Sequence, residues 1–430
     1  MKYICRSLFP FSLLLCGFNP PVCGQTVAKF EPEEVGLSST RLERINKLMQ
    51  NYVHEKKLSG IVTLVARRDK VVHFERFGMM HIEENKQMQL NTIFRIHSMT
   101  KPITSVAVMM LYEEGHFQLY DPVSKFIPEF EGLKVVEDAT EQGLELSDPE
   151  REMTIRDLLI HTSGLTYGDG DTPVDVMYRE GGVLEYRPKK SGEFCIMPGD
   201  GRTLKGMIQK LSKIPLLFHP GEQWHYGVST DVLGHLVEVV SGMPLDRFFE
   251  ERIFEPLGMV DTGFYVPEEK IRSFAASYSP GGSGGISIID PPTTSPFSSP
   301  TSFFAGGGGL VSTASDYYRF AQMLLNGGHL NGTRLLGRKT VELMTVNHLW
   351  WGEYTKGFGF GLGFWVIEDI GRSQEIGSEG SFGWGGAANT WFLIDPREKL
   401  IAIFMTQLVP YGHYPVIKQF KTLAYQAIVD

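Results

Sequence analysis

Strand-patterned segments stand at both ends of this 430-residue chain, with a helix-patterned middle between them. From Gly60 to Gly78, Ile61, Val62, Leu64 and Val65 precede a polar break at Arg67-Arg68-Asp69-Lys70, and Val71, Val72 and Phe74 resume the run, which predicts a hairpin. Near the other end, Gly361–Glu368, Ala387–Ile394 and Leu400–Thr406 read as strands, and an amphipathic helix over about Pro415–Ile428 closes the chain. Helical spacing marks Ser98–Glu114, Thr154–His161, Thr203–Lys210, Ser229–Ser241, Leu245–Ile253, Ala314–Leu325 and Gly337–Thr345. A sheet must bury its apolar faces, so the economical α+β solution is one antiparallel sheet built from both ends, flanked by helices, with a mostly helical domain inserted. The α/β part is expected over about 25–100 and 310–430, and the helical insertion over about 101–309. Ser279–Pro300, rich in Gly, Ser and Pro without apolar period, reads as a long loop near a site entrance.

The first residues follow a different logic. Lys2 and Arg6 precede an apolar stretch from Leu8 to Phe18, and Val22-Cys23-Gly24 ends in a small residue. This is the pattern of a secretory signal over residues 1–24, so an exported protein, periplasmic or secreted after cleavage, is expected. A cysteine after a leucine run, Cys16, offers the lipid-anchored alternative, but Leu15 stands where a small residue belongs. Three of the four cysteines lie in this segment, leaving Cys195, which can form no internal disulfide and reads as structural. A formal charge of -9 without a basic run argues against a nucleic-acid partner. No later segment is long and apolar enough to span a membrane.

Chemistry concentrates at Ser98-Met99-Thr100-Lys101, opening a predicted helix. Positions i and i+3 share a helix face, so the Lys101 ammonium can reach the Ser98 hydroxyl. A serine is a weak nucleophile until a base takes its proton, and a buried lysine can be that base. By itself, S-x-x-K is a common accident. A rival pattern, Gly281-Gly282-Ser283-Gly284-Gly285, spells the nucleophile elbow of α/β-hydrolases, but it lies in the Gly/Ser/Pro stretch and not on a strand-to-helix turn. His161 in His161-Thr162-Ser163-Gly164 reads as a cap for the preceding helix, and Arg156 and Asp157 as framework. The Trp350-Trp351 pair reads as packing. The histidines carry no His-Glu-x-x-His or comparable ligand set, so no metal is expected.

The flanks add order. Phe94-Arg95-Ile96 leads into Ser98; then come Leu119-Tyr120-Asp121-Pro122-Val123, Thr154–Leu165, Pro220–Tyr226 and the Gly306–Gly309 run into Leu310–Asp316. In this order and spacing the chain resembles the serine β-lactamase and penicillin-binding-protein superfamily on its class C side, and most of all the family VIII carboxylesterases. The resemblance runs from about Phe30 to the C-terminus.

It implies a second catalytic element at Tyr226, where the family's Tyr-x-Asn motif reads Tyr226-Gly227-Val228. The asparagine that orients a substrate amide is replaced. It also implies that Trp384-Gly385-Gly386 lines the substrate site in place of Lys-Thr-Gly. The missing lysine would hold a substrate carboxylate, so a site with Trp384 is expected to favour neutral esters. The implied oxyanion donors are the backbone N–H groups of Ser98 and Ala387. The resulting expectation is a serine carboxylesterase of short-chain acyl esters, working through an acyl-enzyme on Ser98 with Lys101 and Tyr226 as the base pair and no cofactor. A β-lactamase, D-alanyl-D-alanine peptidase or acyltransferase on the same scaffold is the alternative, and a catalytically silent binding protein a further one. The partner is a small-molecule ester; the sequence sets no oligomeric state.

Overall fold

The run Gly60–Arg67 (β1) is buried from end to end. Val62, Leu64 and Ala66 point to one apolar cluster, whereas Ile61 and Val65 point to another, so both faces of this strand are covered. The structure, a computed structural model, describes residues 27–140, 143–184, 202–282 and 284–430. The expected export signal, Cys195 and Ser283 lie outside the described residues.

β1 turns at Arg68 and Asp69, both with positive φ, into β2 (Lys70–His81), followed by the short β3 (Lys86–Gln87). Five strands from the far end of the chain complete the sheet: β4 (Phe358–Phe360), β5 (Trp365–Ile367), β6 (Phe382–Gly386), β7 (Thr390–Asp395) and β8 (Leu400–Met405). The order is β4-β5-β6-β7-β8-β1-β2-β3, and every pairing is antiparallel. The join between the two ends is β1 on β8, with Val62 opposite Met405 and Ala66 opposite Ile401.

One face is covered by α1 (Ser39–His54) and the C-terminal α6 (Val416–Tyr425). The other packs on α2 (Thr100–Glu113) and α5 (Ala314–Leu325). α2 is buried over Thr100–Leu111 and passes through the centre of the larger core. Each such apolar side chain contributes roughly 1.5–3 kcal/mol. Pro102 falls in the first turn of α2, where its missing N–H is not needed. Beyond the sheet, α3 (Ile155–Leu159) and α4 (Ser229–Ser241) belong to the inserted segment, and α4 packs along α2.

Four expectations change. Gly361–Glu368 is not one strand: residues 361–364 form the turn between β4 and β5, where Gly361 N–H donates to Phe364 O. Ser279–Pro300 is not a featureless loop: Ser277–Pro280 pairs with Ile286–Asp290 as a hairpin whose glycine-rich turn supplies the chain reversal, and Gly284 and Gly285 take positive φ. Its end is fixed by charge, since Asp290 pairs with buried Arg95 at 2.7 Å. The helical middle also holds a second hairpin, Val135–Thr140 with Gly143–Ser147. Finally, Ala387 sits in the β6–β7 turn instead of on a strand. Asn389, with φ of 61° and its amide bonded to Leu408 and Pro410 carbonyls, turns the chain there.

Candidate active site

Ser98 lies on a single 3-10 turn, His97–Met99, immediately before α2. Several bonds pin that turn: Ile96 N–H donates to Leu310 O, the Tyr317 hydroxyl to Met99 O, and Leu310 N–H to the Thr100 hydroxyl. His97 is held at φ 43°, a conformation unusual for a non-glycine residue. Gly386 packs against the Ile96 carbonyl, and any Cβ there would overlap it. The sheet and the turn that carries Ser98 are therefore joined by a contact that only glycine permits.

Lys101, one turn on, is 1% exposed. Its Nζ donates to the Tyr167 hydroxyl at 2.7 Å and to Gly307 O at 2.6 Å, with Ser98 Oγ at 3.5 Å. These three acceptors use all the N–H bonds of an ammonium. Gly307 is held in turn by Asp231, whose Oδ1 accepts the Gly307 N–H at 2.9 Å. Asp231 is wholly buried on α4, and burial raises its carboxyl above the usual range while the Lys101 charge opposes the shift. Burial likewise pushes the Tyr167 phenol well above its ordinary value, with Tyr226 and Asp231 adding to the effect. Tyr167 is thus a neutral phenol that steadies the lysine.

Tyr226 meets Lys101 through its ring, whose centroid is 4.6 Å from Nζ, a cation–π contact. The phenol bonded directly to Lys101 is Tyr167. Tyr226 is stacked on Trp224 at 11° between planes and touches His161, Tyr167 and Trp384 at centroid distances of 4.8, 5.4 and 5.7 Å. Its hydroxyl is shielded from solvent and lies beside the Tyr167 phenol, whose ionisation it opposes.

Trp384 faces Tyr226 and lies edge-on to Phe360, with its buried indole N–H unused among the described residues. Val228, standing where the family carries asparagine, is fully buried at the start of α4 and packs in the core. Ser98, Tyr226, Trp384, Gly385, Gly386 and Ala387 all border one cleft of about 610 Å³. Apart from Lys101, which is buried behind Ser98, the expected catalytic, substrate-binding and oxyanion positions therefore border a single cavity.

Sequence reasoning missed Tyr167, Trp224 and Asp231. Tyr167 had no signal beyond its place just after the His-Thr-Ser-Gly turn. His161 holds positive φ directly after α3, as a cap does, but its ring also supports Tyr226; burial keeps that imidazole neutral, well below its ordinary value. Asp157 is framework, closing a capping box with Thr154 and pairing with Arg151. Trp350 and Trp351 border a separate depression, with Trp350 79% exposed.

A serine on a pinned turn, a caged lysine one helical turn away and an antiparallel sheet flanked by helices define the β-lactamase-like class of fold. Residues 45–425 match the family described as Beta-lactamase, and the chain belongs to that family. Protein Rv1367c of Mycobacterium tuberculosis (strain ATCC 25618 / H37Rv) is 35% identical over 368 residues, covering 82% of this chain and 86% of that protein. Esterase EstB of Burkholderia gladioli is 28% identical over 407 residues, covering 90% and 96%. Among solved structures, EstCE1, a hydrolase with promiscuous acyltransferase activity, superposes with a TM-score of 0.73 at 26% identity, covering 90% of this chain and 99% of that one. The relatives thus include hydrolases and acyltransferases, esterases among them.

Proposed function

We propose that this protein is a carboxylesterase that hydrolyses short-chain acyl esters through an acyl-enzyme on Ser98. The observation that carries the reading is the placement of Ser98 on the cleft wall with the buried Lys101 ammonium 3.5 Å behind it. In the proposed cycle, the Lys101 ammonium first gives a proton to solvent, and the free amine takes the Ser98 proton as Oγ attacks the ester carbonyl. The oxyanion is received by the N–H groups of Ser98 and Ala387, each such donor being worth about 2.7–4 kcal/mol. Tyr226 hands a proton to the leaving alcohol and is reprotonated by Lys101, and the restored pair activates water for deacylation. Trp384 and Val228 support esters over β-lactams and peptides, because the residues that would grip a carboxylate and an amide at those two positions are absent. The test is 4-nitrophenyl butyrate turnover by Ser98→Ala: loss of activity is expected, and near wild-type activity would sink the reading.

Acyl transfer is a second reading, favoured by the likeness to EstCE1. An added alcohol that captures the acyl group in competition with water would establish it. Export is proposed too, supported by the N-terminal pattern of Lys2, Arg6 and the following apolar stretch. N-terminal sequencing of the mature protein decides it.

A further inference from the structure

The cleft does not end at Trp384. Strand β5 pairs with β6 only at Phe382 and Gly383, so Trp384–Gly386 present an edge that β5 leaves uncovered. Further along, the same cavity is bordered by Lys356, Arg372, Glu375, Lys418 and Lys421. Four cations and one carboxylate line this end, in a chain whose 50 acidic residues outnumber its 41 basic ones. A cleft wall of one dominant sign focuses its field on whatever enters.

The arrangement leaves donors to spare. Lys421 is 3% exposed; its Nζ lies 2.9 Å from Glu375 and 5.8 Å from the Trp365 ring centroid. Lys418 reaches the same carboxylate at 3.1 Å. One carboxylate is therefore shared by two ammonium groups, each with three N–H bonds. Arg372 pairs with Glu353, and Lys356 is exposed with no carboxylate partner among the described residues.

Reach can be read from the sheet. Trp365 stands opposite Gly383, three residues from Gly386, which abuts the carbonyl of Ile96, two residues before Ser98. At about 3.3 Å per residue the uncovered edge from Gly383 to Gly386 runs roughly 10 Å. The cleft passes round it to join Ser98, which leads into α2 on one face of the sheet, to Lys418 and Lys421 on α6 at the other. A simple butyrate ester fills little of a 610 Å³ cleft, a size that suits a drug-sized ligand.

We propose that this end of the cleft is an anion subsite, and that the alcohol arm of the natural ester carries a carboxylate seated by Lys421 and Lys418. The inference rests on the ester reading above: since that reading keeps the acyl side short, the acid belongs to the alcohol. Replacement of the lysine at position 384 then shifts positive charge along the cleft and does not remove it. The expectation of neutral substrates considered position 384 alone.

The test compares 4-(4-acetoxyphenyl)butyrate with its methyl ester, which share an acetyl group and a phenol of matched reactivity. The free acid is expected to have a kcat/KM at least about tenfold higher, the equivalent of one charge-assisted contact. That ratio should collapse in Lys418→Glu, an exposed position, and in the volume-matched Lys421→Met, and should shrink as salt is added. Equal turnover of the two esters with Ser98 labelled by a fluorophosphonate would overturn the subsite while leaving the esterase reading intact. Turnover of neither ester, with Ser98 unlabelled, would mean that the esterase reading itself fails. A preference for mono-4-nitrophenyl adipate over 4-nitrophenyl hexanoate, without one in the acetoxyphenyl pair, would overturn the assignment to the alcohol arm.

Discussion

Lys101 donates to the Tyr167 hydroxyl at 2.7 Å, a shorter contact than the 3.5 Å that separates it from Ser98. The lysine is thus held from behind by a phenol and presented to the serine. Tyr167→Phe removes that acceptor and leaves a buried ammonium short of one partner. Hydrogen bonds to charged groups are worth about 1.5–3 kcal/mol, so kcat should fall roughly 10- to 100-fold with KM little changed. Steady-state kinetics on a short-chain ester check this; a kcat within twofold of wild type would refute it.

Asp231 acts on Lys101 through the backbone of Gly307: it accepts a hydrogen bond from the Gly307 N–H, and the lysine donates to the carbonyl of the same residue. Asp231→Asn keeps an acceptor for that N–H, and Asp231→Ala does not. The alanine variant is expected to lose about 1–3 kcal/mol of stability, as an orphaned buried donor does, together with most of its turnover. The asparagine variant should recover the larger part of both. Urea melts and kcat measured side by side separate these outcomes, and indistinguishable variants would count against the relay.

Gly386→Ala places a Cβ into the Ile96 carbonyl, which is backbone and cannot swing aside. The nucleophile turn must shift, and a displacement near 1 Å costs on the order of 100-fold in rate. A folded protein by circular dichroism with kcat/KM down by that order is the expected result. Unimpaired turnover would show that sheet and turn are not coupled in this way.

His73 is bonded to Thr63 between β2 and β1 and is pushed by burial, with help from the Lys29 charge, down to about 3. Its unfolded value is about 6.5, so between those values the unfolded chain takes up a proton that the folded one refuses. This contribution to stability is full above about pH 6.5 and is lost as pH falls toward 3. Replacing His73 by Gln removes the titration, and the variant should lose roughly 1.5 kcal/mol less than wild type between pH 6.5 and 5. Parallel stability curves over that interval would refute it.

Elements with strong local signals were legible in the sequence. α4 and α5 occupy the residues their periodicity marks, Ser229–Ser241 and Ala314–Leu325, because Gly242 takes the left-handed cap after α4 and Thr313 caps the start of α5. The β1–β2 hairpin follows from its apolar runs and polar turn. Where local chemistry misled, long-range contacts had decided: Gly281–Gly285 looks like loop, yet the flanking Ser277–Pro280 and Ile286–Asp290 pair, and Asp290 is held by Arg95 across 195 residues.

The sequence by itself determined that Ser98 and Lys101 stand together, since a helical turn brings i and i+3 together wherever the helix goes. It also determined the departures at Val228 and Trp384, which are matters of residue identity. Only the tertiary structure decided what surrounds them. Tyr167 is 66 residues from Lys101, Gly307 is 206 residues away, and the Lys418–Lys421 pair lies more than 300 residues from Ser98 on a different helix. Such groups leave no period or spacing in the chain, because packing of the sheet against its helices, and not local geometry, brings them to one cleft.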